Sequence, residues 1–297
     1  MTASRRTATG IGFIAVLLWA LLALLTVGTT PTPPLLLNAI TFAIGGTVGL
    51  IWIAATEGFR VLRGIPVQIY VYGTLGLFGY HALYFSALRN APAAEAGLIA
   101  YLWPLLIVLL SGLLPGERLR TGHFIGAFAG FSGAALILLD GGAGFQADAA
   151  KGYGLALLCA LTWSSYSVLS RRIRHVPTAS VAVFCLATAA LSAGLHLMIE
   201  DTVWPSGGLA WASAIGLGLG PVGLAFFVWD VGVKNGDIQL LGTAAYAAPL
   251  LSTIVLVVTG VAEATATLFL AAALITGGAA MAARASFSMS KDQEDSL

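Results

Sequence analysis

The sequence has very few charged residues. Of its 297 residues, 9% are charged and 58% are hydrophobic, and the mean hydropathy is +0.92. A soluble domain carries about 25% charged residues, so a water-soluble fold of this length would expose too much apolar surface. The composition therefore predicts an integral membrane protein with the lipid bilayer as a partner. The formal net charge of +1 provides no basic face, which excludes nucleic acid as a partner.

Cysteine and the residue patterns of common cofactor sites are also scarce. Cys159 and Cys185 both lie within apolar runs, which excludes a disulfide framework and favours small buried side chains. The sequence contains no metal-ligand pattern, phosphate-binding loop, dinucleotide fingerprint or nucleophile elbow. We therefore expect no metal, no cofactor and no enzymatic activity.

Long apolar runs make up most of the chain. A membrane-spanning helix needs about 20 mostly apolar residues. Ten stretches qualify, at residues 10–29, 35–56, 66–88, 92–113, 121–140, 152–171, 178–199, 208–231, 237–260 and 264–284. With the N-terminus in the cytoplasm, only Arg89 and Lys151 of the 14 Lys and Arg residues lie outside. Because such residues concentrate on the cytoplasmic side, the sequence predicts an all-α protein of ten transmembrane helices in the cell inner membrane, with both termini cytoplasmic.

The second half of the sequence repeats features of the first. A shift of 145 residues aligns Asn90 with Asn235, Tyr101 with Tyr246 and Pro104 with Pro249, and a shift of 144 aligns Trp19 with Trp163. The asparagine match is informative because the chain has only three asparagines. Each copy holds five spans, an odd number, so the second copy must enter the membrane upside down. The sequence therefore predicts two inverted five-helix repeats at 1–145 and 146–286, followed by a polar cytoplasmic tail at 287–297.

Prolines interrupt several of the predicted spans. Pro104 and Pro249 lie at equivalent positions in mid-span, and each removes a helix hydrogen bond. Gly220 and Pro221 would make span 8 bendable in the same way. Inverted repeats and interrupted helices are typical of secondary transporters, whose substrate sites lie near the midplane. The alternative at each proline taken alone is a simple packing kink.

Aromatic residues lie near the predicted midplane, although Trp and Tyr usually concentrate at the two membrane interfaces. Several spans contribute them at similar depth, which indicates a shared cavity. The predicted substrate-binding residues are Trp19, Tyr80, His81, Tyr84, Tyr101, Trp103, Trp163, Ser164, Tyr166, Trp229 and Tyr246. A cavity walled by rings favours a flat, apolar or aromatic solute. The alternative is ordinary packing between helices.

Ionisable residues within spans are functional candidates by default. His81 is a possible proton site or hydrogen-bond donor to substrate, or alternatively a satisfied core histidine. Glu95 lies one turn into span 4, where a carboxylate favours the helix N-terminus, and it could pair with Arg89. Asp230 and Lys234 are four residues apart, which favours a structural ion pair over a gate.

The repeat and its motifs resemble a known superfamily. Two inverted halves of five spans, a Trp midway along the first helix of each half, and an Asn…Tyr-x-x-Pro pattern in each fourth helix resemble the drug/metabolite transporters. The stretches LLWALLAL, YHALYFSAL and AYLWPLL are most similar to its EamA-type exporters of aromatic amino acids. The resemblance implies a secondary transporter, with a small-molecule substrate, that exports aromatic or apolar amino acids and related metabolites by alternating access; we expect a monomer. The alternatives are export of threonine- or homoserine-like amino acids or amphipathic drugs, and more remotely a membrane enzyme or a channel.

Two absences narrow the choice within that superfamily. Neither Lys nor Arg lies near a span centre, whereas phosphorylated sugars and nucleotide sugars need cationic partners. The first span also lacks a carboxylate. The small four-span multidrug members use a glutamate there to exchange protons for cations, so their mechanism does not carry over.

Overall fold

The chain folds into long helices joined by short connections. The computed structural model describes residues 3–139, 146–260 and 263–294, and all regular secondary structure in these ranges is helical. The helices are Ala3–Trp19, Leu22–Val27, Pro34–Ala55, Val67–Leu88, Ala93–Ala100, Trp103–Ser111, Thr121–Leu138, Ala150–Ser170, Ser180–Ile199, Gly207–Leu219, Ala225–Asn235, Ile238–Ala244, Ala247–Val258 and Ala266–Glu294. Short 3-10 turns at Phe59–Leu62, Ala147–Ala149 and Arg171–Ile173 belong to the connections.

These helices form ten spans, numbered in chain order, in which spans 1, 4, 8 and 9 each consist of two consecutive helices. In the described part of the chain, nine of them are long and apolar enough to cross a membrane. Span 3, Val67–Leu88, is also 22 residues long, but Gln68, His81 and four tyrosines make it less apolar. The all-helical prediction is therefore confirmed for the described residues. The predicted boundary at 145/146 lies partly outside them, and the last helix continues through the predicted tail to Glu294.

The faces of the spans that point away from the core carry large apolar side chains. Ile51, Leu197, Met198 and Val258 are each between 63% and 80% exposed. Such a surface would aggregate in water but is matched to lipid acyl chains. The bilayer therefore stabilises this fold from outside, while small residues and hydrogen bonds connect the helices within.

Spans 4 and 9 are interrupted at equivalent places. The breaks follow Ala100 and Ala244, and Pro104 and Pro249 lie in the first turn of the helices that resume. The interruptions therefore fall just before the two prolines, each of which lacks the N–H that would continue the helix hydrogen bonds. Span 8 contains a different irregularity, a π-helical turn at Gly220–Leu224, which is a frequent cause of bends in helices.

Corresponding spans of the two halves pack against each other in opposite directions. Span 2 begins beside the late part of span 7, where Asn38 Nδ2 donates to Ser192 Oγ at 2.7 Å. It ends beside the start of span 7, where Ile53 clusters with Ala179 and Ala182. Spans 5 and 10 are likewise antiparallel. Small residues lie along both spans, and the early part of one packs beside the late part of the other.

Most contacts between spans occur twice, once in each half. If two spans pack together, the two spans five places away along the chain pack together as well. Span 1 packs on span 8, and span 6 packs on span 3. Span 4 packs on span 6, and span 9 packs on span 1. Span 2 contacts span 8, and span 7 contacts span 3. The two halves therefore have related surroundings, as expected for two copies of one unit.

Close packing of spans 5 and 10 gives a first prediction. A methyl group on Gly126 would lie 2.5 Å from the carbonyl oxygen of Gly278, and a backbone atom cannot move aside. We expect Gly126→Ala to lower the unfolding free energy by about 1–3 kcal/mol through overpacking. The measurement is the melting temperature of the purified protein in one detergent.

Gly154→Ala is the matched control, since Gly154 is also helical and its added methyl would meet nothing within 4 Å. Alanine favours a helix over glycine by about 1 kcal/mol, so the control should melt at the same or a higher temperature. Equal melting temperatures for the two variants would contradict the close approach of spans 5 and 10.

Candidate functional site

A cavity of about 780 Å³ enters the helix bundle. Its walls come from spans 1, 2, 3, 4, 6 and 8 and from the connection between spans 1 and 2. Seven of the eleven residues predicted to bind substrate line it: Trp19, Tyr80, His81, Tyr84, Tyr101, Trp103 and Trp163. The predicted hinge residue Pro221 lines it as well. Aromatic residues drawn from several spans thus share one space.

The cavity opens at the end of the bundle where span 2 begins. Exposed Thr30 and the neighbouring Pro34, both beside the start of span 2, and Leu88 at the end of span 3 form its mouth. From there it runs inward to the rings at the middle of the spans. Spans 1 and 3 stand on two sides of this opening, whereas their counterparts, spans 6 and 8, pack together at the other end. The site is therefore reached from the end where span 2 begins, whereas the described parts of spans 6 and 8 pack against each other at the opposite end.

Four tryptophans close the deep end of the cavity. Trp19, Trp103, Trp163 and Trp229, from spans 1, 4, 6 and 8, form a cluster in which every pair of ring centroids is 5.2–6.5 Å apart. Most pairs meet edge to face or tilted, the geometries that aromatic rings favour. We call this group the tryptophan cluster.

Two indole N–H groups fix the tryptophan cluster in place. Trp19 Nε1 donates to the carbonyl of Pro221 at 3.1 Å, within the π-helical turn. Trp229 Nε1 donates to Ser167 Oγ at 3.1 Å. Because buried indoles need an acceptor, these bonds define which way each ring faces. The predicted bend at Pro221 thus contacts the floor of the cavity.

His81 supplies a polar group in the cavity wall. Its Nδ1 lies 2.8 Å from the carbonyl oxygen of Leu77. Since a carbonyl only accepts, Nδ1 carries the proton and a neutral ring presents Nε2 as an acceptor. Its ring meets Phe42 edge to face at 5.0 Å. Among the described residues that line the cavity, none is Asp, Glu, Lys or Arg, so its polar character comes from neutral groups.

The other predicted binding residues lie outside the lining. Tyr166 stacks on Tyr72 at 5.4 Å, deeper than the cluster, and Ser164 Oγ donates to the carbonyl of Leu161. Trp229 is 1% exposed beneath the cavity. Tyr246 is 0% exposed, and its hydroxyl accepts the N–H of Leu105 at 3.0 Å.

Several lining residues were not predicted from the sequence. Asn38, Thr41 and Phe85 contribute to the walls. Phe226 of span 8 lines the cavity as well, 5.6 Å from Trp163 and edge to face. A signal for Asn38 existed, because it is a lone amide in a long apolar run. Because its side chain is an amide and not a ring, the clustering of aromatic residues near the midplane does not indicate it.

A charge network lies at the closed end, defined by Arg5, Glu117, Arg171 and Asp237. Glu117 pairs with Arg171 and, at 3.2 Å, with Arg5, which lies 3.8 Å from Asp237. Arg171 also donates to the carbonyl of Gly236 at 2.7 Å. The network joins the start of span 1, the connection between spans 4 and 5, the end of span 6 and the start of span 9.

The position of Glu117 in this charge network gives a second prediction. Its side chain is 6% exposed between the two arginines. Glu117→Gln removes the negative charge that holds two cations together, and we expect a loss of about 2 kcal/mol because Arg5 is partly hydrated. The melting temperature measures it, with Glu57→Gln as an exposed control. A Glu117→Gln protein as stable as the control would show that the network contributes nothing.

Two ion pairs involve ionisable residues that the sequence analysis identified within or beside the spans. Lys234 Nζ lies 2.8 Å from Asp230 Oδ2, and both side chains are at most 3% exposed. Arg89 contacts Glu200 at 2.7 Å rather than forming the pair with Glu95 that the sequence suggested. The Glu200 carboxylate also accepts backbone N–H groups at the start of span 2, which holds it in place beside Arg89. Glu95 is buried in the first turn of its helix.

The chain shares its sequence pattern with a family of membrane proteins. A sequence model described as the EamA-like transporter family matches residues 7–139 and again residues 150–284. Two matches of similar length indicate two copies of the same unit.

Individual proteins are similar over nearly the whole chain. The aromatic amino acid exporter YddG of Ancylobacter novellus is 55% identical over 282 residues, 94% of this chain and 98% of that protein. The aromatic amino acid exporter YddG of Escherichia coli is 25% identical over 266 residues, covering 84% and 87% of the two chains. A solved crystal structure superposes with a TM-score of 0.90 at 55% identity, covering 94% of this chain and 98% of the other. These similarities confirm the resemblance proposed from the sequence.

Proposed function

The chain belongs to the EamA-like transporter family, and from this premise we propose that it exports aromatic and other apolar amino acids across the cell inner membrane. The observation that carries the proposal is the ring-lined cavity, which opens at one end of the bundle while described spans pack together at the opposite end. Its volume of about 780 Å³ is within the range of small-molecule sites, about 300–1,000 Å³. The relatives named as aromatic amino acid exporters support the substrate class.

Neutral groups in the cavity wall suit an amino acid. An aromatic side chain would lie among Trp19, Trp103 and Trp163, where stacking and area burial favour it. The acceptor Nε2 of His81 could take a hydrogen bond from the substrate ammonium, and the hydroxyls of Tyr80 and Tyr101 could serve the carboxylate. A permanently charged phosphate group would find no cationic partner among the described lining residues.

Transport would follow from two oppositely inserted halves, at 1–145 and 146–286. The antiparallel packing of spans 2 and 7 supports this arrangement. Asn90 and Asn235 also support it, because the side-chain amide of each donates to the carbonyl four residues earlier, at the end of spans 3 and 8. With both termini cytoplasmic, the cavity faces outward. Rocking of the halves would open it inward.

A single chain supplies every wall of the cavity, so we propose that the protein acts as a monomer. A closed inner end disfavours a channel, which needs a continuous pore. The four tryptophans and the charge network lie between the cavity and that end. An enzyme would need clustered His, Asp or Glu side chains at the cavity, and among the described lining residues His81 is the one of these types.

Counterflow in reconstituted vesicles tests the proposal. Vesicles loaded with unlabelled tryptophan should take up labelled phenylalanine in a saturable manner, and vesicles without protein should not. Competition should decrease from aromatic amino acids to leucine to threonine. If the vesicles take up threonine or amphipathic drugs but no aromatic amino acid, the substrate assignment is wrong. Flux that never saturates would indicate a channel.

A further inference from the structure

Tyr101 and Tyr246 correspond in the two halves but make different contacts. Tyr101 lines the open cavity. Tyr246 is 0% exposed, and its hydroxyl accepts the backbone N–H of Leu105 at 3.0 Å. Leu105 lies four residues after Tyr101, at the break of span 4. The tyrosine of one half thus accepts a backbone N–H at the interruption of a helix in the other half.

The Leu105 N–H needs an acceptor because of the break. Leu105 is the third residue of the helix that begins at Trp103, and the first N–H groups of a helix have no partner within it. In a membrane core, an unsatisfied N–H group is costly. Leu106, the next residue, already bonds to the carbonyl of Leu102. The Tyr246 hydroxyl supplies the missing acceptor from span 9.

The ring of Tyr246 is held by a contact that only glycine allows. A methyl group on Gly130 would lie 2.6 Å from Tyr246 Cδ2. Phe131 packs on the same ring, with centroids 6.2 Å apart. The hydroxyl is therefore directed at span 4 by close packing, as expected of a group with a specific task.

We propose that Tyr246 is a positioning residue and that Tyr101 and Tyr246 exchange tasks during the transport cycle. The inference rests on the proposed function, in which two inverted halves take each other's conformation when the access changes. In the inward-open state, Tyr101 accepts the N–H of Leu250, the counterpart of Leu105, and Tyr246 lines the inner cavity. The Tyr246 hydroxyl therefore stabilises the outward-open state, and the Tyr101 hydroxyl stabilises the inward-open state.

Two cysteine reporters measure the balance between these states. Leu88→Cys lies at the mouth of the cavity. Val233→Cys, 145 residues further on, lies at the closed end, where Val233 is 0% exposed. The full chain carries the changes Cys159→Ala and Cys185→Ala, and both native cysteines are buried. The rate of alkylation by a maleimide reports access to each position.

The two tyrosine variants should change these rates in opposite directions. Removing an acceptor from a buried N–H shifts an equilibrium roughly tenfold. We expect Tyr246→Phe to raise alkylation at Val233→Cys about tenfold and Tyr101→Phe to lower it by a similar factor. Gly130→Ala displaces the Tyr246 ring while keeping its hydroxyl, and it should act like Tyr246→Phe. A purely structural role would shift both tyrosine variants the same way.

Three outcomes are distinguishable. Opposite shifts support the exchange. Equal shifts of one sign, or no shift, in a protein that still shows saturable phenylalanine flux would overturn the exchange and leave the proposed function intact. If saturable flux is absent and phenylalanine does not change the alkylation rate at either cysteine reporter, the proposed function is overturned, and the exchange with it.

Discussion

Trp163→Ala is expected to reduce saturable phenylalanine transport roughly a hundredfold, since losing a large buried ring costs about 3 kcal/mol or more. Trp163 lines the cavity and contacts Trp19, Trp103 and Trp229 in the tryptophan cluster, as well as Tyr80 at 5.5 Å. The variant therefore removes both a stacking surface for a substrate ring and part of the closed floor.

The test compares initial rates of counterflow at matched amounts of folded protein. Trp163→Phe keeps a ring and should retain part of the activity. Trp211→Ala is the matched control, because Trp211 is 39% exposed and stacks only on Trp204 among the described rings; it should transport within about twofold of the unmodified protein, as distant surface changes do. If a folded Trp163→Ala protein transports phenylalanine at the full rate, the cavity is not part of the transport path.

Asp230→Asn should cause the largest loss of stability, about 3–5 kcal/mol, because it leaves a buried ammonium without its counter-charge. Lys234 is 3% exposed, and among the described residues the further acceptor for its Nζ is the carbonyl of Val176, at 2.9 Å. Thr178 Oγ1 donates to the same Asp230 oxygen, at 2.7 Å, so the pair also holds the connection between spans 6 and 7. Melting temperatures in a single detergent give the comparison.

A double variant separates the charge effect from the loss of packing. Asp230→Asn with Lys234→Met removes both charges, and replacing a buried pair by apolar groups is often nearly neutral. It should therefore be more stable than Asp230→Asn alone. Asp201→Asn, at an exposed position in a connection, should have almost no effect. Equal losses in the single and double variants would show that the two charges do not stabilise each other.

Depth along the spans could be predicted from the sequence, whereas conformational state could not. Counting residues from the span ends placed Trp19, Trp103 and Trp163 at one level, and the cavity forms there. The same count treats Tyr101 and Tyr246 as equivalent. The structure separates them because one side of the bundle is open and the other closed, a difference that two similar sequence motifs do not encode.

Long-range partners were the other part that sequence spacing missed. Nearness in sequence makes Glu95 a candidate partner of Arg89, yet Arg89 contacts Glu200, 111 residues away. The charge network joins four segments that are far apart in the chain. Spacing along a helix does predict contacts within one helix, such as that between Asp230 and Lys234.

The opposite orientation of the two halves is the central claim, and side-specific labelling tests it most directly. Asn90→Cys and Asn235→Cys place one thiol at the end of span 3 and one at the end of span 8. In right-side-out membrane vesicles, a membrane-impermeant maleimide should modify the Asn90→Cys protein and spare the Asn235→Cys protein. Inside-out vesicles should give the reverse pattern, and modification of both proteins from the same side would contradict two inverted halves.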